Sequence, residues 1–217
     1  WAVREIERNA KRSFRTIMIH AAYPEGCPPY RDTHYDPIWS RCEEMGLPIT
    51  LHIITGRIPD PLFAYKREDQ EEGPNNLLGT YEEIPHTIAN EFIYGEIFDR
   101  FPGLRLLTGE LELSWIPHFM MRLDMMQGVF SDRLSLPTLE MKASDYVRTR
   151  VWHGLIEDKF GLGGLEMIGE TQVCWGSDFP HSIAIGAEAK EAVENILGGL
   201  GPESRHRLAS ENARTLL

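Results

Sequence analysis

The sequence is poor in cysteine and in basic charge, and both scarcities narrow the range of functions. Its three cysteines are Cys27, Cys42 and Cys174, and no two of them form a Cys-x-x-Cys pair. We therefore expect reduced thiols and a cytoplasmic location. The chain has 22 basic and 33 acidic residues, which gives a formal net charge of −11. No basic cluster or stripe occurs in the sequence. Nucleic acid is therefore not an expected partner.

Long apolar runs, dinucleotide fingerprints and internal repeats are also missing. No apolar run approaches the ~20 residues that cross a bilayer, and no segment has the charged start and apolar core of a signal peptide. We therefore expect a soluble protein with no membrane partner. No Gly-x-Gly-x-x-Gly follows a strand-like run, which argues against Rossmann-type nucleotide binding. The chain begins at Trp1 within a helical pattern, so we expect that a preceding segment is missing.

Apolar residues at helical spacing alternate with short apolar runs along the chain. The runs predict strands at 16–19, 47–54, 104–110, 147–155 and 172–177. The helical patterns lie at 2–14, 36–45, 84–101, 116–130, 188–200, 202–209 and 211–217. Asp36 and Pro37 are interpreted as an N-cap and a first-turn proline, and Gly46 as the glycine that ends that helix. This alternation predicts an α/β protein with a parallel sheet, either an open sheet or part of a (β/α)8 barrel.

The stretch 56–80 interrupts the alternation with prolines and charges. It is too long for an ordinary connection, so we interpret it as a functional loop or lid.

Ionisable side chains lie at or near the ends of the predicted strands. They are His20, His52, Glu110 and Asp178. The carboxyl ends of parallel strands share one edge, so groups far apart in sequence can converge there. Imidazole and carboxylate ligands suit a divalent metal, with Zn²⁺ favoured and Mn²⁺ as the second choice.

Each of these residues also has an ordinary structural interpretation. His52 could be a buried histidine that is hydrogen-bonded to a backbone carbonyl. Glu110 could accept hydrogen bonds at the start of the following helix, and Glu112 competes with it for any role. Asp178 could cap a turn, with His181 as a surface residue.

Several motifs along the chain resemble those of one known family. They are PITLH at 48–52, FPGLRLL at 101–107, WIP at 115–117, WGSDFPH at 175–181 and ENAR at 211–214. In this order they resemble the amidohydrolase-2 family, which contains the aminocarboxymuconate-semialdehyde and resorcylate decarboxylases. The resemblance runs from about Ala2 to the last residue, and its most specific part is the motif around Asp178.

The resemblance implies a metal-bound (β/α)8 TIM barrel of the metal-dependent hydrolase type. Residues 1–217 would form one barrel domain that is incomplete at its amino end and covers about strands 4–8. His52 would be the metal ligand on the fifth strand, and Asp178 the acid on the eighth, which binds the metal and moves protons. The first-strand His-x-His of the family is absent, and Glu110 stands where many members have His-Gly-Gly. The family resemblance also favours a homodimer.

The leading hypothesis is a divalent-metal-dependent decarboxylase or hydrolase that acts on a small carboxylated or cyclic substrate, with aromatic substrates included. Asp178 would transfer the proton, and Glu110 or His181 would assist as further catalytic groups. The alternative is a catalytically silent barrel homologue that acts as a binding or assembly module.

Three further residues are candidates for substrate binding. Arg57 could pair with a substrate carboxylate, although it could equally be solvated. Trp115 and Phe179 could form pocket walls, although core packing is an alternative for Trp115.

Overall fold

The computed structural model describes residues 1–56, 74–181 and 189–217. They form two compact units, 1–104 with 137–139, and 105–136 with 140–217. Arg57 and most of the predicted lid lie outside the described residues. The assignment of the whole chain to one barrel domain stays a prediction. Among the described residues, no helix combines the length and the apolar content needed to span a bilayer.

The first unit contains two parallel strands, β1 (Ile17–Ile19) and β2 (Ile49–His52). Ile17 lies opposite Ile49, and Ile19 opposite Leu51. Its α-helices are α1 (Ala2–Ala10), α2 (Asp36–Glu44), α3 (Pro74–Thr87) and α4 (Ile97–Arg100), with a 3-10 turn at Thr33–Tyr35 and a π-helical segment at Ile88–Ile93.

The turn between α2 and β2 follows from its glycine. Gly46 has φ 63°, a left-handed conformation that glycine adopts without steric cost. The Leu47 amide donates to the Cys42 carbonyl at 2.9 Å, which satisfies a carbonyl group at the helix end. The prediction that Gly46 ends this helix is therefore confirmed, and β2 begins three residues later with His52 as its last residue.

The second unit contains three parallel strands, β3 (Leu106–Gly109), β4 (Val151–Leu155) and β5 (Val173–Trp175). Thr108 lies opposite His153, and His153 opposite Val173. The α-helices are α5 (Ile116–Val129), α6 (Ser131–Leu134), α7 (Ala143–Arg150), α8 (Leu165–Ile168), α9 (Ala189–Leu197), α10 (Pro202–His206) and α11 (Asn212–Leu216). There are 3-10 turns at Gly161–Gly164 and Glu170–Gln172, and a π-helical segment at Arg207–Glu211.

Helix α11 packs beside β5 and covers one face of the sheet there. The side-chain amide of Asn212 donates to the Val173 carbonyl at 2.6 Å, and Trp152, Cys174 and Leu216 form a buried cluster. Because successive side chains in a strand alternate between the two faces, His153 points away from this cluster. It therefore faces the opposite side of the sheet from α11.

Three predictions about local structure were wrong. Residues 147–150 belong to helix α7 and not to a strand. The start of this helix is stabilised by α5, because the Ser144 amide donates a hydrogen bond to Asp124 Oδ1 at 3.0 Å. The last residues of the predicted lid, 74–80, lie in α3. Asp36 is the first residue of α2 and not its N-cap, because a 3-10 turn leads directly into that helix.

Candidate metal centre

Glu110, Asp178 and His181 lie together in the second unit. Each offers one ligand atom, and these atoms all lie within 4.8 Å of one another. Glu110 directly follows β3, while Asp178 and His181 follow β5. Since β3 and β5 both pair in parallel with β4, their carboxyl ends share an edge of this sheet. The structure thus brings together the three residues that the sequence suggested as catalytic.

Asp178 lies in a tight turn, and little of its side chain is exposed. Its side chain is only 19% exposed, and its φ of 51° is a left-handed conformation that Asp tolerates better than most residues. The His181 amide donates to the Asp178 carbonyl at 2.9 Å, which closes a tight turn. The Phe179–Pro180 peptide bond within this turn is cis.

The Oδ2 atom of Asp178 is shielded from solvent and accepts no hydrogen bond from any described residue. His181 Nδ1 lies 3.5 Å away, a distance at which an N–H···O bond is weak. A buried carboxylate oxygen without a strong donor is unfavourable, and a nearby second carboxylate adds repulsion. A divalent cation would coordinate Asp178 Oδ2 and offset the repulsion between the two carboxylates, so this donor set of two carboxylates and one imidazole fits such an ion.

Glu112, which the sequence left as a competitor of Glu110, has a different role. Its Oε2 accepts hydrogen bonds from the amides of Ile156 at 3.0 Å and Asp158 at 3.4 Å, and its Oε1 from Glu157 at 3.1 Å. The carboxylate therefore holds the loop after β4. Glu110, which lies with Glu112 on the loop after β3, is the acid that joins the cluster.

Asp158, on the loop after β4, binds the loop after β3 in return. Its Oδ2 accepts from the amides of Leu113 at 3.1 Å and Ser114 at 2.7 Å, and its Oδ1 from the amide of Gly161 at 2.8 Å. Burial by itself raises the pKa of Asp158. The hydrogen bonds from the Ser114 hydroxyl and from these amides outweigh burial and hold the pKa below its ordinary value.

His52 ends β2 in the first unit. Its Nδ1 lies 2.9 Å from the Ile53 carbonyl, so Nδ1 carries the proton and donates to that oxygen. With Nδ1 as the donor, the tautomer that leaves a lone pair on Nε2 is the one that a metal ligand needs. The structure thus contains the backbone hydrogen bond of the ordinary interpretation. The assignment of His52 as a metal ligand stays a prediction.

Comparison with known proteins identifies the family. The family model described as amidohydrolase matches residues 2–217. The chain belongs to the amidohydrolase family. Its resemblance to that family, inferred from sequence motifs, is therefore confirmed.

Solved structures share the fold of this amidohydrolase. The 5-carboxyvanillate decarboxylase from Sphingomonas paucimobilis is 24% identical with a TM-score of 0.79, over 99% of this chain and 62% of that chain. The 2,6-dihydroxybenzoate decarboxylase from Rhizobium is 20% identical with a TM-score of 0.74, over 99% and 66%. A dihydroxybenzoic acid decarboxylase from Polaromonas, solved with manganese and 2-nitroresorcinol, is 21% identical with a TM-score of 0.71, over 99% and 64%.

This amidohydrolase chain spans only 62%, 66% and 64% of the length of these three solved structures. The predicted fold class, an α/β fold of the amidohydrolase barrel type, is confirmed by the family match and by these structures.

The candidate substrate-binding residues have contrasting surroundings. Trp115 packs against Phe119 and His153 at ring-centroid distances of 5.2 and 5.8 Å, and its indole N–H donates to the Glu112 carbonyl at 3.0 Å. It is therefore held by packing while remaining partly exposed. Phe179 is 68% exposed beside Asp178.

His153 is a buried ionisable residue to which the sequence pattern gave no specific role. Its side chain is fully buried, and Nδ1 lies 3.3 Å from Thr108 Oγ1. Nε2 has no hydrogen-bond partner among the described residues. Burial lowers the pKa of His153 to about 3, so the imidazole is neutral at physiological pH. His153 shares a face of β4 with the apolar residues Val151 and Leu155, and this was the signal that could have placed it inside.

Proposed function

We propose that this chain contributes the active site of a divalent-metal-dependent decarboxylase that acts on a small aromatic carboxylate. The observation that carries the proposal is the cluster of Glu110, Asp178 and His181. Its support comes from the fold shared with decarboxylases of 5-carboxyvanillate and 2,6-dihydroxybenzoate. The alternative reaction, hydrolysis, would use the same cluster and is distinguished by experiment.

Asp178, Glu110 and His181 would hold the metal, and His52 is a fourth candidate ligand on the strength of the family resemblance. When bound, the divalent ion supplies positive charge that polarises the oxygens of the substrate. Carboxylate-rich ligand sets suit Mn²⁺, and imidazole suits Zn²⁺ as well. The manganese found in one similar decarboxylase makes Mn²⁺ the first ion to test.

Asp178 and His181 would carry the proton that decarboxylation requires. When the bond to the carboxylate breaks, CO₂ leaves and the electron pair stays on the ring carbon, which must then take up a proton. Asp178 Oδ2 is shielded from solvent, whereas the His181 side chain is 59% exposed with Nδ1 3.5 Å from Oδ2. In this arrangement Asp178 would deliver the proton, and His181, when its imidazole is not bound to the metal, would exchange it with water. Glu110 would help to orient the substrate.

The two aromatic side chains that are candidates for pocket walls suit a flat ring as the substrate. Phe179 exposes most of its ring beside Asp178, and Trp115 is held rigidly by its neighbours. Aromatic rings gain from stacked or edge-to-face contact, so both could contact a benzoate ring. Arg57 remains a candidate partner for the substrate carboxylate.

The proposal is tested on the full-length protein after incubation with MnCl₂ or ZnCl₂ and removal of free metal. We expect about one equivalent of metal by elemental analysis, and CO₂ release from hydroxylated benzoates. Asp178→Asn should abolish turnover, while Asp132→Asn, an exposed acid on α6, should match the parent. Metal below about a tenth of an equivalent would contradict the proposal and favour a silent homologue. Cleavage of lactones or amides without CO₂ release would identify a hydrolase.

A further inference from the structure

The loop that carries Glu110 has an unfavourable backbone. Glu110 and Glu112 have φ values of 54° and 59°, in the left-handed region where side chains other than Gly, Asn and Asp are disfavoured. Two such residues in one short segment need support from outside the segment. Leu111 and Leu113 are buried, but apolar contacts are not directional and do not fix backbone dihedral angles.

Directional support comes from a pair of carboxylates that we term the reciprocal clasp, consisting of Glu112 and Asp158 with their backbone donors. Glu112 accepts three amide hydrogen bonds from residues 156–158. Asp158 accepts from the amides of Leu113 and Ser114 in return. Each carboxylate lies on one loop and binds the backbone of the other, so the two loops are fixed as one body.

The two loops are also in direct contact. A Cβ atom at Gly161 would lie 2.5 Å from Asp158 Oδ2 and 2.5 Å from Leu113 Cβ. Real Cβ atoms do not approach other atoms so closely, so this position needs a glycine. The Ser114 hydroxyl adds contacts of 2.7 and 2.6 Å to the two Asp158 oxygens. The clasp is therefore both dense and fully hydrogen-bonded at Asp158.

We propose that Glu112 and Asp158 are positioning residues that hold Glu110 in the metal cluster. Glu110 lies two residues before Glu112 and directly after β3, so its carboxylate is placed by a segment with the strand at one end and the clasp at the other. Loss of the clasp would release the left-handed conformation and allow Glu110 to leave Asp178. The metal-binding part of this inference rests on the proposed function.

The test compares Glu112→Ala and Asp158→Ala with Glu170→Ala in the full-length protein. Glu170 is a matched control, because its carboxylate also accepts hydrogen bonds, from Ser204 at 2.9 Å and Arg207 at 3.1 Å, but it precedes β5 at the opposite end of that strand. Mn²⁺ affinity is measured by titration calorimetry, stability by thermal unfolding, and the surroundings of Glu110 by the position of its amide resonance in a ¹⁵N-labelled sample.

We expect both clasp variants to bind Mn²⁺ at least about tenfold more weakly than the parent and to shift the Glu110 resonance. Glu170→Ala should lose stability without either effect. Ser114→Ala keeps the backbone donors, so it serves as the mild variant if the alanine variants do not fold, and it should give smaller changes in the same direction. Glu112→Gln, which retains one carbonyl oxygen, should recover part of the affinity.

Two outcomes separate the inference from the function on which it rests. If the clasp variants lose only stability and keep both the Mn²⁺ affinity and the Glu110 resonance of the parent, the positioning role is wrong. If the parent binds no Mn²⁺ or Zn²⁺, the proposed function is wrong, and an unmoved Glu110 resonance in Glu112→Ala would then reject the clasp as well.

Discussion

Asp178 Oδ2 and His181 Nδ1 lie 3.5 Å apart across a tight turn, and this carboxylate oxygen accepts no hydrogen bond from the described residues. The imidazole is exposed to solvent, whereas the oxygen is not. This pair therefore connects a shielded oxygen to water through a single side chain. Such an arrangement suits a group that must exchange a proton between turnovers.

His181→Ala tests that connection. We expect the rate of decarboxylation to fall by about a hundredfold, because proton transfer by a positioned side chain contributes a rate factor of this size. Added imidazole should restore part of the rate if the side chain moves a proton. Activity is measured as CO₂ release at saturating Mn²⁺, so that any loss of metal affinity is compensated. His118→Ala, at an exposed position on α5, is the control. Equal rates for the parent and His181→Ala would exclude the proton role.

Asp178→Asn should stabilise the metal-free protein. The parent holds a shielded carboxylate oxygen near a second carboxylate, which is unfavourable without a cation. Asn removes the charge, keeps the shape and also tolerates a left-handed backbone. We expect a gain of about 1 kcal/mol in the free energy of unfolding in EDTA.

Metal should reverse this order of stability. Added Mn²⁺ should raise the unfolding temperature of the parent and leave Asp178→Asn unchanged, because only a state that binds the ion is stabilised by it. Thermal unfolding with and without EDTA provides both measurements. A variant that is less stable than the parent in EDTA would show that the carboxylate is already satisfied without metal.

The sequence could predict that Glu110 belongs to a site at the sheet edge, but it could not predict the role of Glu112. The end of a strand is visible as a local pattern, and parallel strands bring their carboxyl ends to one edge, so Glu110 and Asp178 could be paired in advance. The sequence alone could not show which of Glu110 and Glu112 joins the cluster. The amides that bind Glu112 lie 44 to 46 residues further along the chain, and no local pattern reports such contacts.

The prediction of a strand at residues 147–150, which lie in helix α7, failed for the same physical reason. Residues Val147 and Thr149 of this helix favour strands by local propensity, yet its first amides are bonded by Asp124 and Gln127 of α5. These partners stabilise the helix start at a distance that propensity does not include. The prediction that Gly46 ends a helix succeeded because a left-handed glycine after a helix is recognisable from its immediate neighbours.

His153 should make the protein less stable in acid. Its folded-state pKa of about 3 lies below the ordinary value because burial disfavours the charged imidazole. Between pH ~6.5 and ~3 the unfolded state binds one more proton than the folded state, so the free energy of unfolding falls as the pH falls. The contribution of the neutral imidazole is complete only above pH ~6.5.

Asn at position 153 cannot ionise but can still bond to Thr108, so His153→Asn isolates this effect. From pH 7 to pH 5 the parent should lose about 2 kcal/mol more than the variant. Urea unfolding in EDTA at the two pH values gives the comparison, because metal ligands then do not contribute. The same loss in both proteins would mean that His153 accepts a proton in the folded state near its usual pKa.

Ile54 occupies a left-handed conformation two residues after His52. Its φ is 63°, and its side chain is 69% exposed, so little packing compensates for the steric cost of a β-branched residue there. We expect Ile54→Asn to raise the free energy of unfolding by about 1 kcal/mol. Ile54→Val keeps the branching and should not raise it. Chemical unfolding measures both variants, and a loss of stability in Ile54→Asn would mean that the Ile54 side chain makes a needed contact.

Gly161 and Gly163 lie in the same 3-10 turn but differ in the space around them. A Cβ at Gly161 would meet Asp158 and Leu113 at 2.5 Å, while a Cβ at Gly163 would meet nothing within 4 Å. Gly161→Ala must push apart the two loops of the clasp, so we expect it to cost about 1–3 kcal/mol. Gly163→Ala should stay within about 0.5 kcal/mol of the parent. Because neither substitution touches a candidate ligand, a matching fall in Mn²⁺ affinity for Gly161→Ala alone would connect the spacing of these loops to the placement of Glu110.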